Sequence, residues 1–534
     1  MILYSLSLIP IIMAIFIYLM PFKHYKQVMI GTQSLLLGLS LLLFLRIDVL
    51  HEGKLVHHLS RYDANIGINL MADSISASFL VLTCFIFLAM FIYAYQKPFM
   101  NRLFIFLFMV LEALILTVFL VQDLFSLYAL IEVSTIVVSV LIMYKKDATA
   151  LYDGTIYLFT NMLSMTFFLI GVGYIYKIFG TLDLLQLGEL VTQVDNPRTL
   201  ILPYAFIMTA VGLKSALMPL FSWLPHAHGS HSAPYIVSAV LSGLYIKGSL
   251  YIFIRLQHIF GDVLNTHELF IFLGFITAII AMLLALAQED IKLLLAYSTV
   301  SQIGLIIFGL SLANDYSYYG SIYHIINHAI FKSLLFLCAG LIIDRYKTRR
   351  LQQIRGLFRT MPWISAMMIL GLLGITGAPL FNGSISKYLI QRGVENHLLI
   401  EYGIMVLNIA SMTYCIKLSQ IFFGDKEDLA PVPIHQKSII GLLGILCLIG
   451  GLFGHYLVGV FFQITITWSL VNYLEKFLIY LLSAGIAMAF YQFIYKPSHL
   501  FSTIREVELT FNELVLSIVT FFFGLLTYLM ITVH

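Results

Sequence analysis

Charge is what this sequence has least of: Asp, Glu, Lys and Arg make up 11% of its 534 residues, against roughly 25% in ordinary soluble domains. With 60% of the residues apolar, a water-soluble globule is excluded. Cysteine is nearly as scarce. Cys84, Cys338, Cys415 and Cys447 stand singly in apolar segments without C-x-x-C or Cys/His spacing, so they read as small core residues. A basic excess is also missing: 30 Lys+Arg against 27 Asp+Glu leave +3 and no arginine-rich run outside the loops. Nucleic acid finds no electrostatic footprint here. Nor is there a long polar stretch, since 47–70, 180–200 and 424–437 are each too short to hold a core of their own. Any function belongs in the apolar bundle.

What the chain has in abundance is apolar runs of spanning length. They lie near 4–20, 27–46, 75–95, 103–121, 124–143, 155–179, 201–222, 233–256, 268–287, 293–312, 317–343, 362–390, 400–423, 438–462, 474–495 and 508–532, sixteen in all. A span with its connection takes about 35 residues, so the length admits on the order of 15 of them. The apolarity is continuous where a barrel strand would alternate, which excludes a closed β-barrel. The expected fold is an all-α polytopic membrane protein of about 14–16 transmembrane helices. The first run, Tyr4 to Met20, lacks a basic n-region and a small-residue cleavage site and reads as a permanent span.

The loops alternate in basic content. One side holds Lys23, Lys26, Lys97, Arg102, Lys145, Lys146, Lys292, the cluster Arg345 to Arg359, Lys426, Lys437, Lys496 and Arg505. The other holds Arg46, Lys54, Arg61, Lys177, Arg198, Arg255, Arg392 and Lys476. By the positive-inside rule the first set faces the cytoplasm and both termini face outward. The cluster from Asp344 to Arg350 reads as a topological anchor. The segment Thr181 to Val194 has a helical apolar pattern and is expected along the outer interface.

Glu112, Glu132, Lys214, Lys247, His324, His328, Lys332 and Lys387 fall inside the spans. A charge at mid-bilayer costs roughly 2.5–3.5 kcal/mol on insertion scales, so these side chains are expected to face one another or water inside the bundle. A buried lysine has a use there: burial penalises its charge, a nearby carboxylate restores it, and its protonation becomes switchable. Lys417, late in its span, reads instead as a snorkelling side chain. His324, His328 and Lys332 fall at i, i+4 and i+8, a ladder with about 6 Å of rise between members that protons can climb through intervening water. Two histidines one turn apart cannot supply opposite axial ligands, which argues against haem.

Lys214 is followed by Pro219 and Pro225, and Lys387 is preceded by Gly377, Pro379 and Gly383. Both helices are expected to be broken, freeing backbone groups that can line a cavity. The loop His226, His228, His231 has metal-like spacing but no accompanying acid or cysteine, and reads as solvent-titrating or as lining a proton entrance. No quinone, flavin or iron–sulfur motif is visible, and no cofactor is expected.

The run from Lys214 through Pro219, Trp223 and Pro225 to His228, continued by Ala233, Pro234, Val237, Ser238, Ala239, Leu241, Ser242, Gly243 and Lys247, resembles the antiporter-like subunit family. That family comprises the proton-pumping membrane subunits of respiratory complex I, related subunits of membrane-bound hydrogenases, and the large, D-type subunits of multisubunit Mrp cation/proton antiporters. The resemblance recurs from Ala285 through Gln288, Asp290 and Lys292 to Gly304, from His324 to Phe336, and from Gly377 through Pro379 and Gly383 to Lys387. A weaker similarity begins at Gly67 to Asp73 and reaches the late spans.

The resemblance implies two inverted five-helix repeats, each with a broken helix, forming two half-channels joined by a polar axis at the membrane centre. The corresponding division is 1–102, 103–256, 268–423 and 424–534. It further implies that Glu132 is the essential glutamate, Lys214 its partner, Lys247 the linking lysine, His324, His328 and Lys332 the polar ladder, and Lys387 the terminal lysine. Glu112 matches no motif of the family, and extra residues near Gly229 to Ser232 lengthen the usual spacing. Lys387 disfavours those complex I members that end in glutamate, and the C-terminus lacks the long lateral helix of the largest one.

The mechanism expected is that a proton enters from one side, charges Lys247 through the His324–Lys332 ladder, and moves to Lys387 or exchanges with Lys214. It leaves when the attraction of Glu132 shifts. Two unit charges about 6 Å apart at an effective dielectric near 20 interact by roughly 2.8 kcal/mol, about a hundredfold in proton affinity. The reading is a proton-translocating subunit of a monovalent cation (Na+)/proton antiporter in a bacterial or archaeal inner membrane, with other membrane subunits as partners. The alternatives are a pumping subunit of a complex I or hydrogenase-like redox enzyme, and a non-transporting scaffold or bicarbonate-uptake partner.

Overall fold

A computed structural model of the chain describes residues 1–49, 53–58, 69–229, 233–394, 398–462, 464, 470–505 and 510–533. Arg61, Gly67, Ile68 and the loop residues Ser230, His231 and Ser232 lie outside the described residues.

The chain opens with α1 (Ile2–Leu19), α2 (Tyr25–Phe44) and α3 (Ser74–Ala94). Next come α4 (Arg102–Val118), α5 (Leu124–Ile142), α6 (Ala148–Phe179), the short α7 (Leu184–Val191) and α8 (Ile201–Lys214). α9 (Tyr235–Val240) runs through a π-type turn, Leu241–Tyr245, into α10 (Ile246–Phe260). The second half continues with α11 (His267–Ala287), α12 (Ile291–Leu310), α13 (Asp315–Tyr346), α14 (Leu357–Thr360), α15 (Pro362–Thr376), α16 (Asn382–Arg392) and α17 (Leu398–Ser419). It closes with α18 (Ile434–Leu452), α19 (Gly454–Phe462), α20 (Leu470–Ala489), α21 (Leu500–Arg505) and α22 (Phe511–Thr532).

Local chemistry explains many of the helix starts. Asp73, Asn101, Asp123, Asp147, Asp183, Asp290, Asn314 and Thr510 occupy N-caps and accept from backbone amides of the first turn, which satisfies donors that the helix leaves open. Among the described residues 13 helices are long and apolar enough to cross a membrane. The other three of the sixteen apolar runs fold into shorter pieces. One is α4, of 17 residues; the other two are the runs broken at Lys214 and at Gly377. This is a multi-pass membrane fold whose spans are all helical. A two-stranded antiparallel ladder, β1 (Leu55–His58) with β2 (Asn69–Ala72), lies in the first long connection and pairs backbone groups that no helix there satisfies.

Burial separates inner from outer helices. The most apolar window of α13 and that of Tyr235–Phe260 are each 94% buried, whereas those of α1, α2 and α22 are 33% buried and that of Tyr473–Tyr495 is 17% buried. The long α13 is the axle, packed on α12, α15, α16, α18 and α9. It is also the helix that carries His324, His328 and Lys332.

Among the described residues the two basic sets separate to opposite ends. At the richer end Lys97 pairs with Asp344 at 2.6 Å, Arg349 with Asp290 at 2.7 Å and Arg505 with Glu289 at 2.8 Å. At the other end Arg255 pairs with Asp73 at 2.6 Å, and Arg198 Nε donates to the Val533 carbonyl at 3.2 Å, which places the C-terminus there. The N-terminus shares that end, because α1 runs from it toward Phe22, whose carbonyl accepts from Arg102 at the basic end. α7 lies at this same end, with Leu184, Leu187 and Val191 turned inward.

Candidate functional site

Apart from Glu112, the ionisable residues singled out within the spans gather among the inner helices, and the two helix breaks carry the lysines at the ends of the group, Lys214 and Lys387. α8 stops at Lys214, and the indole of Trp223 donates at 2.6 Å to the carbonyl of Leu213, which also accepts from the Ala216 amide at 2.9 Å. The second break needs glycine for steric reasons. Gly377 has φ +76°, and a Cβ there would meet Lys387 Cδ at 2.8 Å, while a Cβ on Gly383 would lie 1.9 Å from the Gly374 carbonyl oxygen. Without side chains at these two positions, α16 can fold back against α15 and carry Lys387 inward.

At the first break, Lys214 Nζ donates to Thr135 Oγ1 at 2.6 Å. Glu132, one turn earlier on α5, faces Lys214 electrostatically, and its Oε2 has no hydrogen-bond partner. Tyr245 completes the cluster: its hydroxyl lies 3.2 Å from Ser134 Oγ, accepts from Tyr157 at 3.0 Å, and interacts with Lys214. A cavity of about 30 Å³ opens beside Lys214, Ser134, Tyr245 and Ser249. A water requires about 10–15 Å³ of such space, so there is room for one beside Lys214.

Tyr245 ends the π-type turn and Lys247 follows on the same helix. Lys247 Nζ lies 2.6 Å from His328 Nδ1 and donates to the Ser242 carbonyl at 3.2 Å. Neither partner is a carboxylate, and the amine and the imidazole share a hydrogen bond over which a proton can shift. One turn along α13, His324 Nδ1 lies 2.8 Å from Ser386 Oγ and its Nε2 lies 3.0 Å from Gln302 Oε1. The Gln302 amide donates to Tyr414 at 3.0 Å. Ser386 immediately precedes Lys387, whose Nζ donates to Ser411 Oγ at 3.1 Å.

The His324–His328–Lys332 ladder is not straight. Lys332 turns aside and donates to the Leu295 carbonyl at 3.0 Å and to Ser298 Oγ on α12. Each four-residue step turns the side chain by about 40°, so Lys332 lies roughly 80° around the helix from His324 and reaches α12. Lys247 therefore meets the ladder at its middle rung. Lys417 also departs from the snorkelling expectation: it is buried and donates to the Leu286 and Gln288 carbonyls at 2.5 and 2.6 Å, capping the C-terminus of α11.

The histidine loop divides. His226 Nδ1 lies 3.6 Å from Asp153 Oδ1, while His228 is buried edge-on to Phe336 with neither ring nitrogen hydrogen-bonded. Among the described residues no group of three or more His, Cys, Asp or Glu is placed to hold a metal ion.

The residues that reading the sequence missed are the uncharged links Thr135, Tyr245, Ser298, Gln302, Ser386 and Ser411. Serines and threonines in membrane helices usually bond their own backbone, so they carry no signal. Gln302 does carry one, as a carboxamide in an apolar span.

Fold and site together define a polytopic helical membrane protein with a row of ionisable groups through its centre. Residues 121–413 match the family described as NADH:quinone oxidoreductase/Mrp antiporter, TM, and the chain belongs to that family. The D-type subunit of the Na(+)/H(+) antiporter of Alkalihalophilus pseudofirmus is 30% identical over 387 residues, covering 71% of this chain and 78% of that protein. In fold the chain is similar to a chain of the Mrp complex from Dietzia sp. DQ12-45-1b (TM-score 0.78, 20% identity, 94% and 99% of the two chains covered). It is also similar to one of the membrane-bound sulfane sulfur reductase, an archaeal respiratory membrane complex (TM-score 0.81, 22% identity, 91% and 99% covered).

Proposed function

We propose that this chain is the proton-translocating, D-type subunit of a multisubunit Na+/proton antiporter, working with other membrane subunits in a bacterial or archaeal cell membrane. The observation that carries the proposal is a set of buried polar contacts: Lys214 with Thr135 and Tyr245, Lys247 with His328, His324 with Ser386, and Lys387 with Ser411. It lies within a chain that is 30% identical to the D-type subunit of a Na(+)/H(+) antiporter.

In this reading Glu132 holds charge on Lys214, and a proton arriving at His324 or His328 loads Lys247. Repulsion between neighbouring ammonium groups then drives the next transfer, toward Lys214 or Lys387. Lys332, on α13 and hydrogen-bonded to α12, acts as a side branch that senses the charge on Lys247. The two helix breaks fall in matching places, each in the fourth spanning run counted from α4 and from α11, which supports inverted repeats over 103–256 and 268–423. The basic end faces the cytoplasm and both termini face outward.

The test is Na+-dependent proton flux in vesicles reconstituted with the purified assembly. Lys214→Ala and Glu132→Ala are each expected to lower it at least tenfold, and flux equal to wild type removes the proposal. Identification of every copurifying chain separates the readings, since iron–sulfur subunits in place of small antiporter subunits would assign the same site to a redox-driven pump.

A further inference from the structure

Glu112 takes no part in the row of lysines. It sits on α4 with no solvent exposure, and Gln33 of α2, equally buried, donates from Nε2 to Glu112 Oε2 at 2.5 Å. One oxygen on each side chain remains without a partner: Glu112 Oε1 and Gln33 Oε1.

Among the described residues the surroundings supply no counter-charge. α1 and α3 contain no Asp, Glu, Lys, Arg or His, and the titratable side chain on α3 that interacts with Glu112 is the thiol of Cys84. On α4 itself the nearest base is Arg102, ten residues and about 15 Å of helix away, and it is engaged with the Phe22 carbonyl. On α2, Lys26 is seven residues from Gln33, about 10 Å, and donates to the Tyr95 carbonyl. On α5 the acid is Glu132, which faces Lys214. An ionised carboxylate at Glu112 would thus be a buried charge with a single amide donor, an arrangement that packing does not sustain.

A neutral acid removes the difficulty. Its hydroxyl needs an acceptor, and the two oxygens left over, one per side chain, are those that a single proton joins. We propose that Glu112 and Gln33 form a second proton-binding site, off the central row, in which one proton closes the carboxyl and the carboxamide into a cyclic acid–amide pair. In that pair the Gln33 N–H donates to Glu112 Oε2 and the Glu112 O–H donates to Gln33 Oε1. The pair ties α2 to α4, and α4 packs directly on α5, the helix of Glu132.

Infrared difference spectroscopy on the full chain, within the assembly it purifies with, tests this. Wild type minus Glu112→Gln is expected to show one protonated-carboxyl C=O band at neutral pH that moves down in D2O. Glu112→Gln keeps the shape and offers an amide in place of the acid. Gln33→Leu leaves the carboxyl in place and removes its donor, and is expected to move the same band upward. Carboxylate stretches in place of the C=O band overturn the proposal, whether they are indifferent to Na+ or shift as Na+ is titrated. A band that Gln33→Leu leaves unmoved overturns the pairing.

Discussion

Asp73 stands just outside the membrane-spanning part of α3 and does two jobs, capping that helix through Ser76 and pairing with Arg255 at 2.6 Å. Burial pushes its carboxyl up, but the Arg255 guanidinium and the hydrogen bonds from Ser76 outweigh burial and hold it below the ordinary carboxylate value. A depressed carboxyl contributes its stability in full above the ordinary carboxylate value, about 3.9, and loses it as pH falls through the lower, folded-state value. Thermal unfolding in detergent is therefore expected to show no contribution from this pair to pH dependence between 5 and 8, and a loss in acid that Asp73→Asn abolishes. At neutral pH Asp73→Asn is expected to cost about 2 kcal/mol. Lys417→Met is expected to cost about as much, because two carbonyls at the C-terminus of α11 lose a charged donor in a place water does not reach.

The broken helix α15–α16 functions as an element because backbone passes against backbone. Gly383→Ala would drive a methyl into the Gly374 carbonyl, and Gly377→Ala would place a Cβ in the left-handed region and against Lys387. Each is expected to displace Lys387 from Ser411 and to lower Na+-dependent proton flux at least tenfold in vesicles. Gly188→Ala is the control: nothing lies within 4 Å of its added Cβ, so flux should stay at the wild-type level. The prolines and glycines near Lys214 and Lys387 made both breaks legible in the sequence. The angle at which each second half returns was not, because that angle follows from contacts with residues far away in the chain.

For the whole molecule the separation of basic loops to one end is a statement about orientation. The four native cysteines are buried, so single introduced thiols report cleanly. In intact cells a membrane-impermeant thiol reagent is expected to label Asp195→Cys and to leave Arg359→Cys unlabelled until the membrane is opened. The reverse pattern would invert the assigned topology. Burial also predicts where partner subunits and lipid sit: α1, α2, α20 and α22 show most of their surface outward, whereas α12 and α13 show almost none. The apolar runs, the breaks and the buried charges were all readable from composition and periodicity. Hydrocarbon tolerates so few polar residues that each one stands out.

Local chemistry alone therefore determined that this chain lies in the membrane, that it is helical, where two helices break, and which residues are out of place among lipid. Tertiary structure decided who meets whom. It set Lys247 against His328, turned Lys332 aside to Ser298, placed Tyr245 beside Lys214, buried Lys417 under the end of α11, and brought Gln33 to Glu112. A span's apolarity is a sum over its own residues, so it can be read along the chain. A hydrogen bond between helices depends on rotation, register and crossing angle, and these are settled only when all the neighbours pack.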